Sequence, residues 1–344
     1  MSTTHRKKLA QLKDSEHAFA KYVRILGKGK TGSRSLSREE AYDAMGMILS
    51  KQVEDVQLGA FLMLLRVKEE SAEELTGFVN AVRDNISTPD NIAADLDWSS
   101  YAGKKRQLPW YLLACFVLAD QGVRIYMHGA SGHTIGRLYT EDVLKQLGIP
   151  AANNWQQVST QLDNSNFSFM PLEYVCPELK RIIDLRNYLG LRSPVHTLSR
   201  LLNPLSAPYS IQSIFHPAYA DSHQQAAINL GQANAAVFKG EGGEIERKPE
   251  ATCSVKTVVD GVAAEEQWPK LLEGRQPRPD QLELNQLIEV WRGTSVDQYA
   301  ENAIIGTMAI AIHLLKKAQT QQQAMELAVQ WWHNRNRSRG LGKL

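Results

Sequence analysis

"LSREEAYDAMGMILSKQVEDVQLGAFLMLLRVKEESAEELTGFVNAVR", residues 36–83, decides the reading of the fold. Its apolar residues recur at three- and four-residue steps, as in Ala41, Met45, Ile48 and Leu49, then Val56, Ala60, Leu64 and Val67. That is the period of one face of a helix, so the stretch predicts a set of short packed helices. Ser37 followed by Glu40, and Ser71 followed by Glu74, have the capping-box spacing, in which each serine and glutamate satisfy one another's backbone N–H groups and mark a helix start. The polar, turn-rich "NISTPDNIAADLDW" that follows places a boundary near residue 90.

Beyond that boundary the pattern changes. "WYLLACFVLA", residues 110–119, is an apolar helix with Pro109 at its first turn and Gly122 beyond its end. Strand-like "VRIYMH", "FSFM", "YSIQSIF" and "NAAVFKG" then alternate with helical "TEDVLKQLG", "PELKRIIDLRNYLG" and "YADSHQQAAINLG". Such alternation predicts an α/β domain with a mostly parallel central sheet covered on both faces. Residues 281–334 read as helices again. The expected division is a small all-helical domain over 1–90, with returning helices at about 173–200, and a larger α/β domain over 91–172 and 201–344 with a basic C-terminal tail.

Composition narrows the function classes. With 344 residues, 43% hydrophobic and 22% charged, the chain can bury one large core or two smaller ones. The longest apolar run is about half of what a membrane span needs, so no membrane partner is expected. The start of the chain has cations without an apolar segment behind them, which argues against a secretory signal and for the cytoplasm. Cys115, Cys176 and Cys253 are far apart, without metal-ligand spacing, and read as small buried hydrophobes. Charge is uneven: residues 1–34 balance to +7 and 331–344 to +4, leaving −9 on the rest of a chain whose net charge is +2. Basic ends on an acidic body point to a polyanionic partner.

The 36–83 stretch, followed by "HG", "EDVLKQLG", "LRNYLGLRS", "LLNPL", "IFHP" and "VFKGEGGEIE", resembles the ordered landmarks of the anthranilate phosphoribosyltransferase family, glycosyltransferase family 3, across about residues 36–246. The resemblance implies the nucleoside phosphorylase and class III phosphoribosyltransferase-like fold, and a homodimer formed through the helical domains. Chemistry of that kind needs a glycine-rich loop offering backbone N–H groups to pyrophosphate, a hydroxyl-bearing phosphate segment, and carboxylates for Mg2+. Here "SYAGKKRQLP" keeps only Gly103 of the loop. His128 and Gly129 match, but Ile135 and Gly136 fall where paired serines would stand, and "GEGGEIE" offers Glu244 without the aspartate. Arg186 matches the arginine that holds the acceptor carboxylate. These positions read as vestiges of a transferase site, so no catalytic residue, metal or cofactor is assigned, Mg2+ belonging to the transferase alternative.

"FAKYVRILGKGKTGSRSLSREEA", "SYAGKKRQLPW" and "FKGEGGEIER" resemble more closely the YbiB-like branch of the family, which implies nucleic-acid binding with little sequence preference. The chemistry of these segments agrees. Lys28, Lys30 and Arg34 stand among glycines with no acid between them, and the segment fails as a P-loop because Arg24 occupies the place of its first glycine. Lys104, Lys105 and Arg106 adjoin Trp98, Tyr101, Trp110 and Tyr111, a mixture of cations for phosphates and rings for unpaired bases. Lys239 follows a strand end, Arg192 and Arg200 follow the returning helix, and Arg335, Arg337 and Arg339 read as a mobile tail. The main expectation is therefore a DNA- or RNA-backbone-binding homodimer. A phosphoribosyltransferase with a rebuilt site is the alternative, and a scaffold for a protein partner the third reading.

Overall fold

The computed structural model describes residues 16–341, apart from 277, 278 and 280. Four helices open it: α1 (Ala20–Gly27), α2 (Arg38–Leu49), α3 (Asp55–Lys68) and α4 (Ala72–Asn85). Both capping boxes form as expected, and α3 adds a third, from Glu54 and Gln57, that the sequence reading passed over. Phe61 joins the bundle edge-on, with ring centroids 5.1 Å from Phe19 and 6.1 Å from Phe78, an arrangement worth about 0.5–1.5 kcal/mol per pair beyond burial. Glu74, wholly buried, is held by Lys68 Nζ at 2.7 Å and by the Leu36 N–H at 2.8 Å.

The chain then runs through β1 (Leu96–Ser100), α5 (Tyr111–Asp120), β2 (Ile125–Gly129), α6 (Thr140–Gln146), α7 (Trp155–Ser165) and β3 (Phe167–Pro171). It returns to the bundle as α8 (Leu172–Val175), α9 (Pro177–Asp184), α10 (Arg186–Leu189) and α11 (Val195–Leu198), where Leu179, Ile182 and Leu198 enter the same core as Phe61 and Phe78. The remainder is β4 (Tyr209–Ile214), α12 (Ala220–Asn229), β5 (Asn234–Lys239), β6 (Cys253–Val259), β7 (Val262–Trp268), α13 (Asn285–Arg292), α14 (Gln298–Leu314) and α15 (Gln321–His333).

The sheet has the order β3-β2-β1-β4-β5-β6-β7, parallel through β5 and closed at one edge by the antiparallel β6–β7 hairpin. Its mostly parallel character follows from strands buried on both faces. α5 is apolar around most of its circumference because it lies inside the large core, between the sheet and α14. Two features exceed the sequence reading. β1 begins inside the segment read as a boundary loop, and the β6–β7 hairpin turns at Asp260 and Gly261, whose positive φ values of 50° and 82° suit an Asp-Gly turn.

The expected free basic tail is corrected. Arg335 is buried, with its guanidinium 3.6 Å from the centroid of the Trp332 ring and donating to the carbonyls of Val290 and Trp291 at 2.8 and 2.9 Å. Arg339 pairs with Asp120 and donates to the Phe116 carbonyl at 3.1 Å. Residues 335–339 are thus stapled to α5 and α13, and only Arg337 of the three arginines is exposed. Lys343 and the cations of residues 1–15 lie outside the described residues. Among the described residues no helix is long and apolar enough to cross a membrane.

Candidate functional site

The carboxyl ends of the parallel strands converge on one edge, the usual ligand position in open α/β sheets. Loop 101–110 follows β1, loop 130–139 follows β2, and loop 240–247 follows β5. The returning helices bring Arg186, Arg192 and Arg200 to the same place.

The first loop is closed upon itself. Gly103 has φ +69°, and a Cβ there would press on the Tyr139 ring, so glycine is needed for the turn that presents two successive N–H groups. Ala102 and Gly103 both donate to Glu244 Oε1, at 2.7 and 2.5 Å, and Ser100 Oγ donates to Oε2 at 2.9 Å. Beside it, Lys104 Nζ lies 2.5 Å from Glu246 Oε1, while the Tyr111 N–H at the start of α5 donates to Oε2 at 3.0 Å. Lys104, Glu244 and Glu246 are wholly buried. Burial pushes the Glu246 carboxyl up to about 7 against the pull of Lys104. The expectation that Lys104 meets an external phosphate is therefore corrected: its charge is already partnered and out of reach of solvent. Trp98, Tyr101, Trp110 and Tyr111 are also buried, which removes them as platforms for bases.

The neighbouring cleft is different. Arg137 Nη1 donates to the carbonyls of Ala102 and Gly103 at 3.0 and 2.8 Å, and Arg186 Nη1 to the carbonyl of His133 at 2.9 Å. Arg192 Nη2 reaches Thr134 Oγ1 at 3.3 Å, and Arg200 Nη1 donates to the carbonyls of Ser213 and Gly243 at 2.8 and 2.9 Å. Together with Arg66, which donates to the Tyr219 hydroxyl at 3.2 Å, they line a cavity of about 300 Å³ without a carboxylate in its wall. Burial, then the nearby Arg137 and Arg200, lowers the Arg192 pKa to about 10. Burial, then Arg192, holds His133 down to about 3, so the imidazole is neutral at pH 7. Carbonyl anchoring fixes the guanidinium groups without an ion pair to any of them, and although Glu244 offsets part of the Arg200 charge, the cluster keeps the electrostatics of an anion site.

The other sequence-derived residues scatter. Lys28, Lys30, Lys105, Arg106 and Lys239 are exposed, while Arg34 is exposed but clasps Glu40 at 2.6 and 2.7 Å. His128 lies wholly buried in β2, with Nδ1 2.7 Å from the Tyr101 hydroxyl and Nε2 3.3 Å from Asp97, and Gly129 closes that strand against the Ser100 carbonyl. Sequence reasoning missed Arg66 and Arg137. Arg137 stands just past Ile135 and Gly136, where absent serines drew attention and the adjacent cation did not. A second hollow of about 400 Å³ lies between the β6–β7 hairpin and α14, largely apolar, its His313–Glu266 pair satisfied internally at 3.2 Å.

Mg2+ favours carboxylate and water oxygens with open coordination positions. Glu244 and Glu246 do not fit that requirement as placed, their oxygens being engaged by backbone N–H groups, Ser100 and Lys104. Among the described residues no group of three or more His, Cys, Asp or Glu could hold a metal ion.

The helical bundle and the mostly parallel α/β layer correspond to the two domains of one known family. Residues 21–86 match the helical bundle domain of the glycosyl transferase family and residues 111–334 match its a/b domain, so the chain belongs to that family. It is 30% identical over 283 residues to an uncharacterized protein of Aquifex aeolicus, covering 79% of this chain and 85% of that one. The uncharacterized protein YbiB of Escherichia coli is 27% identical over 67% of this chain and 73% of its own length. Anthranilate phosphoribosyltransferase of Syntrophomonas wolfei is 29% identical over 69% and 68%. Among solved structures, anthranilate phosphoribosyltransferase of Thermus thermophilus superposes with a TM-score of 0.76 at 20% identity, covering 92% of this chain and 94% of that one. The names support the phosphoribosyltransferase alternative among the expectations; none bears on nucleic-acid binding.

Proposed function

We propose that this chain is a phosphoribosyltransferase-type protein whose arginine cleft takes a phosphate-bearing, pentose-containing ligand. The observation that carries this reading is the convergence of Arg66, Arg137, Arg186, Arg192 and Arg200 on one cavity with no carboxylate in its lining. Guanidinium forks match phosphate oxygens bidentately, and Thr134, Ser193 and Thr197 add hydroxyls suited to a sugar. The relatives named anthranilate phosphoribosyltransferase support the pentose phosphate as the ligand class. Isothermal titration of ribose 5-phosphate and of phosphoribosyl pyrophosphate, with and without Mg2+, tests it. Saturable binding that weakens about tenfold or more in Arg192→Ala is expected. No binding of either compound at low salt overturns the reading.

A second reading, the grip on a nucleic-acid backbone, has its own observation. Lys28, Lys30, Lys105, Arg106 and Lys239 are exposed and enter no ion pair with a carboxylate among the described residues. Fluorescence anisotropy with unrelated single- and double-stranded oligonucleotides at several salt concentrations separates the two readings. Affinity that grows with strand length and falls steeply with salt supports a polymer; affinity confined to the monomeric sugar phosphate supports the first. The homodimer belongs to the same proposal and is supported by exposed apolar side chains on the helical domain, among them Val56, Tyr174 and Tyr188. Light scattering on the purified protein tests it, and a monomeric mass at high concentration overturns it.

A further inference from the structure

We propose that the loop after β1 is an anion nest with a built-in occupant, in which Glu244 acts as a tethered ligand and excludes an external oxyanion. This does not rest on the reading of the arginine cleft. Two successive N–H groups aimed at one point, with a hydroxyl beside them, form the concavity that proteins use for phosphates and carboxylates. Here that point is filled by Glu244 Oε1, and the Ser100 hydroxyl that completes the nest is itself placed by Thr140 Oγ1 at 2.6 Å. Two residues further on, Glu246 covers the adjoining N-terminus of α5 and cancels Lys104. The two carboxylates together occupy the backbone donors that an external diphosphate would otherwise engage.

The occupant is clamped, not resting there loosely. A Cβ at Gly240 would collide with the Glu244 carbonyl, so the β5 loop approaches as closely as only glycine permits. Arg200 ties Gly243 to Ser213, and Arg137 bridges the carbonyls of Gly103 and Gly242 at 2.8 and 3.2 Å. The two loops are thus bonded to each other on both sides: N–H groups of one hold a carboxylate of the other, and one arginine holds the carbonyls of both. An incoming anion must displace a buried carboxylate that has three donors and no solvent to move into.

Chemical rescue tests this. Glu244→Ala leaves a carboxylate-sized space lined by free donors, so its melting temperature falls by about 5–10 °C and is partly restored by sodium formate but not by sodium chloride of equal ionic strength. The unaltered protein gains nothing from formate beyond chloride. Calorimetric titration with inorganic pyrophosphate, carried out in an Arg192→Ala background to weaken the contribution of the cleft, shows binding at least about tenfold stronger once Glu244 is removed. Glu244→Gln keeps the shape and fills the space; it melts below the parent and is not rescued by formate. The proposal is overturned if formate fails to distinguish Glu244→Ala from the parent, if pyrophosphate binds both backgrounds equally, or if Glu244→Gln is as stable as the parent. Should Glu244→Ala not fold in chloride, recovery of folded protein on refolding in formate supports the proposal, and equal failure in both salts overturns it.

Discussion

Two basic regions meet at the same edge of the sheet and have opposite electrostatic fates. In the β1 loop, Lys104 is neutralised by Glu246 at 2.5 Å, and the backbone donors are capped by Glu244. A few residues away in space, Arg137, Arg186, Arg192 and Arg200 are held by carbonyl oxygens, which orient a guanidinium without removing its charge. The difference teaches how to tell a structural cation from one available to a ligand. A buried cation with a carboxylate partner is part of the framework, whereas a carbonyl-anchored one in an acid-free cavity keeps its charge for something else.

The strongest way to break this comparison is Lys104→Met. It leaves the Glu246 charge buried beside the α5 terminus, and about 3–5 kcal/mol of stability should be lost in urea unfolding at pH 8. Because burial already raises the Glu246 pKa to about 7, protonation relieves the loss, which should shrink at pH 5. A loss under about 1 kcal/mol at pH 8 would remove the framework role from this cation.

Arg192→Ala should do the reverse. Its melting temperature should hold or rise, since one of several mutually repelling arginines is removed, while affinity for ribose 5-phosphate should fall by about 1.5–3 kcal/mol. Equal losses of stability and affinity would merge the two regions into one class.

A pH series sharpens the account of the cleft. The folded pKa of His133, about 3, lies below its unfolded value of 6.5, so its contribution is complete above pH 6.5 and is lost as pH falls toward 3. The loss is at most about 1.4 kcal/mol per pH unit. His133→Gln cannot take up that proton and should lose less stability than the parent between pH 6.5 and 5. Parallel curves would show that His133 titrates normally and that the arginines do not depress it.

The smallest effect is expected at the exposed end of the same loop. Lys105→Ala with Arg106→Ala should leave stability within about 0.5 kcal/mol, and on single-stranded DNA should flatten the slope of log affinity against log salt by about 0.7 per lost contact. An unchanged slope would take both residues out of any nucleic-acid interface.

Much of the fold was legible because its signals are local. The capping boxes at Ser37 and Ser71, the apolar α5 and the alternation of strands and helices all act within a few residues of chain. β1 escaped because its five residues lie just after a Pro- and Asn-containing turn, and pairing with β2 and β4, not intrinsic preference, makes it a strand. The β6–β7 hairpin carried an Asp-Gly signal between Val-rich flanks that could have been read. In "AGKKR", by contrast, three adjacent cations look alike, yet Lys104 finds Glu246 across 142 positions of chain while Lys105 and Arg106 face solvent.

The sequence by itself determined the helical bundle, the mostly parallel α/β domain and the departure of three loops from a transferase pattern, since periodicity, caps and loop residues are properties of neighbouring positions. Only the tertiary structure decided which charges are free. Glu244 reaches the loop after β1 because β1, β4 and β5 are adjacent in the sheet, and Arg137, Arg186 and Arg200 share one cavity because the returning helices pack over the strand ends. A side chain's charge is written in the sequence; whether a carboxylate or a carbonyl meets it depends on which distant segments the fold brings together.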